Sequence, residues 1–268
     1  MIQFLLGHGP MLRLVVYAGL LCALAAAEAW RPRRARTLPR WRRWPANLGI
    51  AVADALAVKL LFPLAALGVA VFAAQRGWGA LNIWPGPEWL KIVLALLGLD
   101  LTIYLQHVLF HAVPVLWRLH RMHHTDLDLD VTSGARFHPI EILLSMGIKM
   151  AAVTALGAPP VSVLLFEILL NATAMFNHSN LALPLALDRT LRLLVVTPDM
   201  HRVHHSVIPA ETNSNFGFNV PWWDRLLGTY RAQPAAGHAA MTLGLEAFRD
   251  PAATADLAAL LVQPFARP

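Results

Sequence analysis

Long runs of apolar residues alternate along the chain with short polar segments, and the apolar runs predict helices that cross a membrane. A hydrocarbon layer of about 30 Å requires about 20 apolar residues in an α-helix. Three runs reach that length, and Pro63 could kink the second of them. Two shorter runs are separated by Ala158, Pro159 and Pro160, which break a helix and predict a tight hairpin. The five predicted membrane segments cover residues 11–30, 46–74, 89–113, 140–157 and 161–177.

The composition places the chain among polytopic membrane proteins. Hydrophobic residues make up 57% of the 268 residues, charged residues make up only 14%, and the mean hydropathy is +0.51. The formal net charge of +6 comes largely from seven arginines between Arg31 and Arg43, which directly follow the first apolar run. Such an arginine-rich loop indicates membrane topology and not nucleic-acid binding. The single cysteine, Cys22, excludes an intrachain disulfide and a cysteine-ligated iron–sulfur cluster.

The positive-inside rule assigns the arginine-rich loop to the cytoplasm, so the first segment enters from outside and the second leaves again. The third segment then returns inward, and the hairpin crosses outward and back. Residues 107–124 and 178–205 are therefore both predicted on the cytoplasmic side. This count of crossings uses only hydropathy and arginines, and it brings together the segments in which histidines are concentrated.

Eight histidines are concentrated in three short boxes, HVLFH, HRMHH and HRVHH. Within each box the spacing is i,i+4 or i,i+3,i+4, which places the imidazoles on one face of a helix. Neutral imidazole suits Fe, Zn, Cu and Ni, and eight ligands exceed the four of a structural zinc site. The number of ligands predicts two metal ions. Metal binding is favoured over a purely structural role because burial of unpaired imidazoles would cost about 1 to 3 kcal/mol each. The box histidines are His107, His111, His120, His123, His124, His201, His204 and His205.

Several other chemistries lack their motifs in this sequence. There is no HExxH zinc motif, no ExxH carboxylate di-iron motif, no GxSxG elbow, no Walker A loop and no GxGxxG fingerprint. Haem-attachment and ferredoxin-type cysteine motifs are also missing, so we expect neither haem nor flavin in the chain and expect electrons from a separate protein. A different class of function remains open: a membrane metal transporter or sensor whose histidines would line a path through the bilayer.

Three segments carry a family resemblance: LWRLHRMHHTDLDLDVTSGARFHPIEILL (116–144), NHSN (177–180), and PDMHRVHHS followed by ETNSNFGFNVPWWDRLLGTY (198–230). Together they resemble the fatty acid hydroxylase / sterol desaturase superfamily over residues 89–230. The resemblance implies an integral-membrane di-iron oxygenase that uses O2 and external electrons to hydroxylate or desaturate a lipid-type substrate. It also implies that the eight box histidines bind iron, with His178 of NHSN and His138 of RFHP as further candidate ligands.

The expected architecture is an all-α polytopic membrane helical bundle with a cytoplasmic histidine-rich catalytic cap. Residues 1–88 would form an N-terminal transmembrane region, residues 89–230 the catalytic domain and residues 231–268 a C-terminal tail. The substrate would enter laterally from the bilayer, and a short interfacial helix over residues 185–196 could shape its entrance. The sequence does not separate hydroxylation from desaturation, because the two can diverge after the first hydrogen abstraction.

Polar residues near the boxes are candidates to orient the imidazoles through their second ring nitrogen. The acidic run DLDLD is equally well a solvated loop. Ionisable residues inside the apolar segments are predicted to pair between helices or to reach the interface. The candidate orienting residues are Asp126, Asp128, Asp130, Asp199, Asn213 and Asn215, and the intramembrane residues are Asp54, Lys59, Asp100, Lys149 and Glu167.

Overall fold

The computed structural model describes residues 2–266, and these residues form an all-α structure without β-strands. Five segments are long and apolar enough to cross a membrane, which confirms the predicted helical membrane bundle. Their bounds are Gly7–Trp30, Arg40–Ile83, Glu88–Ala112, Pro139–Leu156 and Pro160–Asn177.

The membrane segments are built from seven helices, and the second segment contains three of them, of which α4 is a single turn. These are α1 (Ile2–Trp30), α2 (Arg40–Leu61), α3 (Ala65–Arg76), α4 (Ala80–Ile83), α5 (Glu88–Ala112), with α6 (Pro114–His124) directly after it, then α7 (Pro139–Leu156) and α8 (Pro160–Asn177). Shorter helices complete the described chain: α9 (Leu185–Leu191), α10 (Pro198–His204), α11 (Pro209–Thr212), α12 (Trp222–Leu226), α13 (Gly237–Ala240) and α14 (Leu257–Val262).

The second membrane segment breaks at the predicted proline. Helix α2 ends where the Phe62 amide bonds to the carbonyl of Val58, and Pro63 follows without an amide hydrogen to continue the helix. Helix α3 resumes at Ala65 and packs against α7 and α8. Beyond it, Gly79 has φ +93°, and a Cβ on this residue would lie 2.1 Å from the backbone nitrogen of Gly157. Only glycine allows this loop to meet the α7–α8 turn.

The histidine-bearing segments all lie at one end of the bundle, as the count of crossings predicts. Glu28, near the end of α1, accepts hydrogen bonds from the backbone amides of Val131 (2.7 Å) and Asn180 (2.8 Å). Arg43, near the start of α2, bonds to Asp126 at 2.6 Å. These contacts attach the first two membrane segments to the chain that follows the second box and to the chain that follows α8.

The arginine-rich loop makes specific contacts at this end of the bundle. Arg33 donates to both carboxylate oxygens of Asp199 at 3.0 to 3.1 Å, and Arg40 donates to Glu28 at 2.8 Å. Arg43 is buried and also pairs with Asp130. The DLDLD run is therefore neither a solvated loop nor a set of histidine partners, because its carboxylates are buried and Asp126 and Asp130 bind Arg43.

Residues 185–196 form a shorter helix than the sequence predicts. Helix α9 ends at Leu191, and the chain is then fixed by a bond from the Val196 amide to the carbonyl of Asn219 (2.9 Å). The Thr197 hydroxyl also donates to Asp188 at 2.6 Å. These bonds hold the chain in the turn that begins α10, so the helix cannot continue through residue 196.

The C-terminal segment packs over the histidine end of the bundle. Helix α14 contacts α2, and the turn that follows it, Gln263–Phe265, contacts α6. Arg121 of α6 donates to the carbonyls of Gln263 (3.0 Å) and Ala266 (2.6 Å). Arg136 donates to the carbonyl of Thr254 at 2.7 Å. The tail thus contacts the second histidine box and the chain that follows it.

Candidate metal centre

Nine histidines gather into two adjacent groups at this end of the bundle. Within each group, one nitrogen from every member lies within 4.8 Å of those of all the others. All nine are buried except His111, which is partly exposed. The first group comprises His107, His111, His120, His124 and His204, and the second comprises His123, His178, His201 and His205.

Three helices and one helix end supply the nine imidazoles. Helix α5 carries the first box near its C-terminus, and α6 carries the second box in its last turns. Helix α10 carries most of the third box, and its amide at Met200 is capped by the Thr197 side chain. His178 caps the C-terminus of α8. The boxes do not map one to one onto the groups, because the second and third boxes each contribute to both.

Backbone carbonyls fix the orientation of four imidazoles. The Nδ1 atom of His107 donates to the carbonyl of Phe216 (2.7 Å), and that of His204 donates to Ser214 (2.8 Å). In the second group, Nδ1 of His123 and of His178 have the carbonyls of Arg136 (3.0 Å) and Ala174 (2.7 Å) as their partners. A carbonyl accepts and never donates, so Nδ1 carries the proton in each of these rings. Their Nε2 atoms therefore present lone pairs in the neutral state.

These lone pairs face each other at short range. The Nε2 atoms of His107 and His204 are 3.0 Å apart, and those of His123 and His178 are also 3.0 Å apart. Neither contact is a hydrogen bond between neutral rings, since neither Nε2 has a proton. A cation between the nitrogens removes the repulsion, and two nitrogens about 2.1 Å from one ion at a right angle lie about 3 Å apart. The donor set therefore fits a metal ion in each group.

Unpartnered nitrogens point to the same conclusion. Both ring nitrogens of His124 and of His205 are buried without a hydrogen-bond partner. Nε2 of His111 is also buried without a hydrogen-bond partner. Each such buried polar atom costs about 1 to 3 kcal/mol unless something satisfies it. Their location inside the two groups makes a metal ion the chemically suitable partner.

Glu141 is a carboxylate partner that sequence reasoning did not single out. Its Oε1 lies 2.7 Å from Nδ1 of His120, and the side chain is buried at the start of α7. A carboxylate in this position orients the ring and makes its other nitrogen a better ligand. The signal was present in the sequence, because Glu141 is the only acidic residue in the fourth apolar segment.

The predicted orienting residues have mixed outcomes. Asn213 does contact a box histidine, with its Oδ1 3.2 Å from Nδ1 of His111. Asn215 instead bonds to the backbone of Met200 and Arg231. Asp199 pairs with Arg33 and Arg202, and Asp128 accepts from the amides of residues 37 and 38.

His138 is not brought into either group. It caps the N-terminus of α7, where its Nδ1 accepts from the Ile140 amide at 3.2 Å. Its Nε2 bonds to the carbonyl of Leu261 at 3.1 Å. Both ring nitrogens are therefore used in backbone contacts, and the motif RFHP contributes a helix cap that also attaches the C-terminal segment.

Burial lowers the pKa of the histidines outside the membrane segments. The pKa of His120 and that of His178 each fall to about 3, mainly through desolvation. Burial also lowers the pKa of His124 and His205 well below the usual range, and neighbouring imidazoles lower it further. These rings therefore stay neutral at physiological pH, which is the state that binds a metal ion.

The depressed pKa values predict that metal-free protein loses stability in acid. An unfolded histidine takes up a proton below about pH 6.5, whereas the folded His120 and His178 do not until about pH 3. Stability is therefore complete above pH 6.5 and falls as the pH decreases, by about 1 to 1.5 kcal/mol per pH unit for each such ring. Thermal unfolding of chelator-treated protein in detergent between about pH 7 and pH 5 checks this. A midpoint that does not change with pH would contradict it, and His178→Leu should reduce the slope.

A cavity of about 730 Å³ extends from the first group into the membrane-spanning part of the bundle. His107, His120 and Glu141 line one end, and apolar side chains that include Phe110, Phe137 and Phe218 line its walls. Leu14 of α1 and Val52 of α2 line the cavity and are about 60% exposed. The cavity therefore reaches the lipid-facing surface between these two helices.

Comparison with known proteins gives the family. The model of the fatty acid hydroxylase family matches residues 92–229, about half of the chain. The chain belongs to this family. The predicted superfamily is thereby confirmed, and membership assigns the chain to the oxidoreductases.

The names of the curated proteins that resemble this chain refer to different lipids. Ornithine lipid hydroxylase OlsE of Rhizobium tropici is 33% identical over 190 residues, which cover 69% of this chain and 54% of that protein. Human cholesterol 25-hydroxylase is 30% identical over a match that covers 52% of this chain and 51% of that protein. Alkylglycerol monooxygenase of Xenopus tropicalis is 32% identical over a match that covers 51% of this chain and 30% of that protein. The chain thus spans about half, or less, of the length of these relatives. No solved structure matches it significantly.

Proposed function

We propose that this protein is a membrane-bound di-iron oxygenase that uses O2 and external electrons to oxidise a lipid drawn from the bilayer. The observation that carries the proposal is the position of two groups of lone-pair-bearing imidazoles at one end of a cavity open to lipid. Family membership and relatives named as hydroxylases and monooxygenases support the same chemistry. Hydroxylation is the favoured outcome, since each relative is named for addition of oxygen.

Each histidine group would hold one iron. His107, His111, His120, His124 and His204 would bind the first ion, and His123, His178, His201 and His205 the second. The two irons would supply reduction of O2 and transfer of one oxygen atom to the substrate, with the second atom leaving as water. Histidine ligands add no negative charge, so the iron pair would be strongly electropositive, and Glu141 would provide nearby compensation through His120.

The chain's own residues bind the substrate, direct it and exclude water. The cavity reaches the first group through His107 and His120, so a substrate carbon would approach that group and not the second. Phe137 stacks on His123 with ring centroids 4.4 Å apart, and Phe218 lies 5.1 Å from His107. These rings separate the imidazoles from bulk water and leave an apolar wall against which an alkyl chain or ring system can pack.

The arginine-rich loop favours a cytoplasmic location for the histidine end, because the loop lies at that end of the bundle. Electrons would then come from a separate cytoplasmic donor protein. The C-terminal segment covers part of this surface, so a donor would approach at the surface that the segment leaves free.

Metal and lipid analysis test the proposed function. Purified protein should contain about two irons per chain. Comparison of lipids from cells with and without the protein should reveal a product heavier by one oxygen, and a His204→Ala variant should not form it. A product lighter by two hydrogens would identify a desaturase. Stoichiometric zinc without O2 consumption would refute the oxygenase.

A metal transporter or sensor remains the alternative from another class. Its ligands would follow a path through the bilayer, whereas these nine histidines gather at one end of the helices. Proteoliposomes that accumulate iron or zinc without oxidising lipid would support that alternative.

A further inference from the structure

The far end of the cavity contains a cluster of three charged residues contributed by three membrane helices. Arg13 of α1 pairs with Glu167 of α8, and the ammonium of Lys149 of α7 lies 3.7 Å from the other oxygen of the same carboxylate. The Glu167 side chain is only 5% exposed. Two cations therefore share one buried carboxylate, and the cluster has a net positive charge in an apolar environment. Such charges are costly in a membrane segment unless they are compensated.

The cations of this cluster face the cavity and the carboxylate lies behind them. Arg13 and Lys149 line the cavity, whereas Glu167 does not. Tyr17, one turn after Arg13, also lines it, and its hydroxyl is buried without a hydrogen-bond partner. This end of the cavity thus presents hydrogen-bond donors and positive charge. The matching ligand group is anionic and rich in acceptors.

The histidine end of the same cavity has a different character. Glu141 lines it there and pairs with His120, whereas the arginine and the lysine that line the cavity, Arg13 and Lys149, lie at the other end. Nδ1 of His107 is also already paired, with the carbonyl of Phe216, so the two imidazoles offer an anionic group no free donor. Along α7, Lys149 lies eight residues beyond Glu141, a separation of about 12 Å. The cations and the unpartnered hydroxyl therefore lie at one end of the cavity, which orients an amphiphile along its length.

We propose that Arg13, Lys149 and Tyr17 bind the carboxylate or phosphate of an anionic lipid and direct its apolar chain toward His107 and His120. This inference rests on the proposed function, since it names the substrate class of the same site. It makes the two cations specificity-determining residues, with Lys149 about 12 Å along α7 from Glu141, the partner of His120. The oxidised position would then be set by its distance from the anionic group.

Equilibrium binding to the iron-loaded protein in nanodiscs of neutral lipid tests this without turnover. The probes are hexadecanoate, hexadecyl phosphate, hexadecanol and hexadecylamine, which share a chain and differ in the polar group. We expect the two anions to bind at least about tenfold more tightly than the alcohol, and the amine to bind most weakly. The relative affinity of carboxylate and phosphate identifies which anion the natural substrate carries.

Variants separate recognition from a merely structural role. Arg13→Gln and Lys149→Gln should each weaken anion binding about tenfold while binding of hexadecanol stays unchanged. Arg13→Lys should restore part of the loss. Glu167→Gln should tighten anion binding, because it removes the carboxylate that competes for the cations. Lys59→Gln is the matched control, because Lys59 is an exposed lysine of α2 outside the cavity and should leave all four affinities unchanged.

Equal affinity for all four probes would overturn the inference, and so would a Glu167→Gln variant that binds every probe more weakly. Neither result depends on catalysis. Lipid oxidation without any preference for anions would leave the oxygenase intact and remove the anion site. Selective anion binding by a protein that contains no iron and oxidises no lipid would leave the anion site intact and refute the proposed oxygenase.

Discussion

Replacement of His178 by alanine should remove iron from the second group and abolish oxidation. The Nε2 atom of His178 lies 3.0 Å from that of His123 and 3.1 Å from that of His201, so it is central to its group. Without it, the group retains three imidazoles. Loss of an orienting partner alone costs 10- to 100-fold in metal affinity or activity, so loss of a ligand should reduce turnover at least about a hundredfold. Iron content should fall from about two per chain toward one.

His138→Ala is the matched control for this experiment. His138 also lies within residues 92–229, which the family model matches, but both of its ring nitrogens bond to backbone groups. Its replacement should cost about 1 kcal/mol of stability through loss of the helix cap and should leave both irons in place. Metal analysis and O2 consumption, measured side by side for the two variants, test whether His178 is a ligand and His138 is not. If His138→Ala also lost iron, or if His178→Ala retained both ions, the assignment of ligands to the two groups would be wrong.

The membrane segments and the gathering of the histidines were predictable from the sequence. Segment bounds follow from hydropathy and from prolines such as Pro63 and Pro159, which act locally. The shared location of the boxes follows from the number of crossings between them, which needs no knowledge of packing. The i,i+4 spacing within a box also predicts correctly that its imidazoles share one face, since this is a property of the helix itself.

The division of the histidines into two groups was not predictable in the same way. His120 and His123 are separated by only three residues, yet they belong to different groups. Each ring joins the group that its side chain reaches across the helix interface, and this depends on how α5, α6, α8 and α10 are rotated against each other. Glu141 escaped notice for the same reason, because its contact with His120 joins two helices whose relative register is a tertiary property.

The arginine-rich loop shows how a correct topological interpretation can miss the structural role of the same residues. Sequence statistics explain why basic residues follow the first membrane segment, and they say nothing of their partners. In the structure, Arg33 bonds to Asp199 beside the third box, and Arg43 bonds to Asp126 just after the second. The residues that indicate orientation thus also join the histidine-bearing segments.

Removal of the Arg43 side chain should destabilise the protein strongly. Its guanidinium is 1% exposed and pairs with Asp126 and Asp130, and it also donates to Ser133 at 3.1 Å and to the carbonyl of Asp128 at 2.7 Å. Arg43→Met would leave two buried carboxylates without their cation. Loss of one partner from a buried pair costs about 3 to 5 kcal/mol, so the free energy of unfolding should fall by at least that amount.

Arg42→Met is the matched control, because the adjacent Arg42 is exposed and only lies over the ring of Trp41. Its effect on chemical unfolding in detergent should stay below about 1 kcal/mol. A triple variant with Arg43→Met, Asp126→Asn and Asp130→Asn should recover part of the stability, since it removes the unpaired charges together with their cation. If Arg43→Met were as stable as Arg42→Met, the buried ion cluster would not be what holds the segment after the second box against α2.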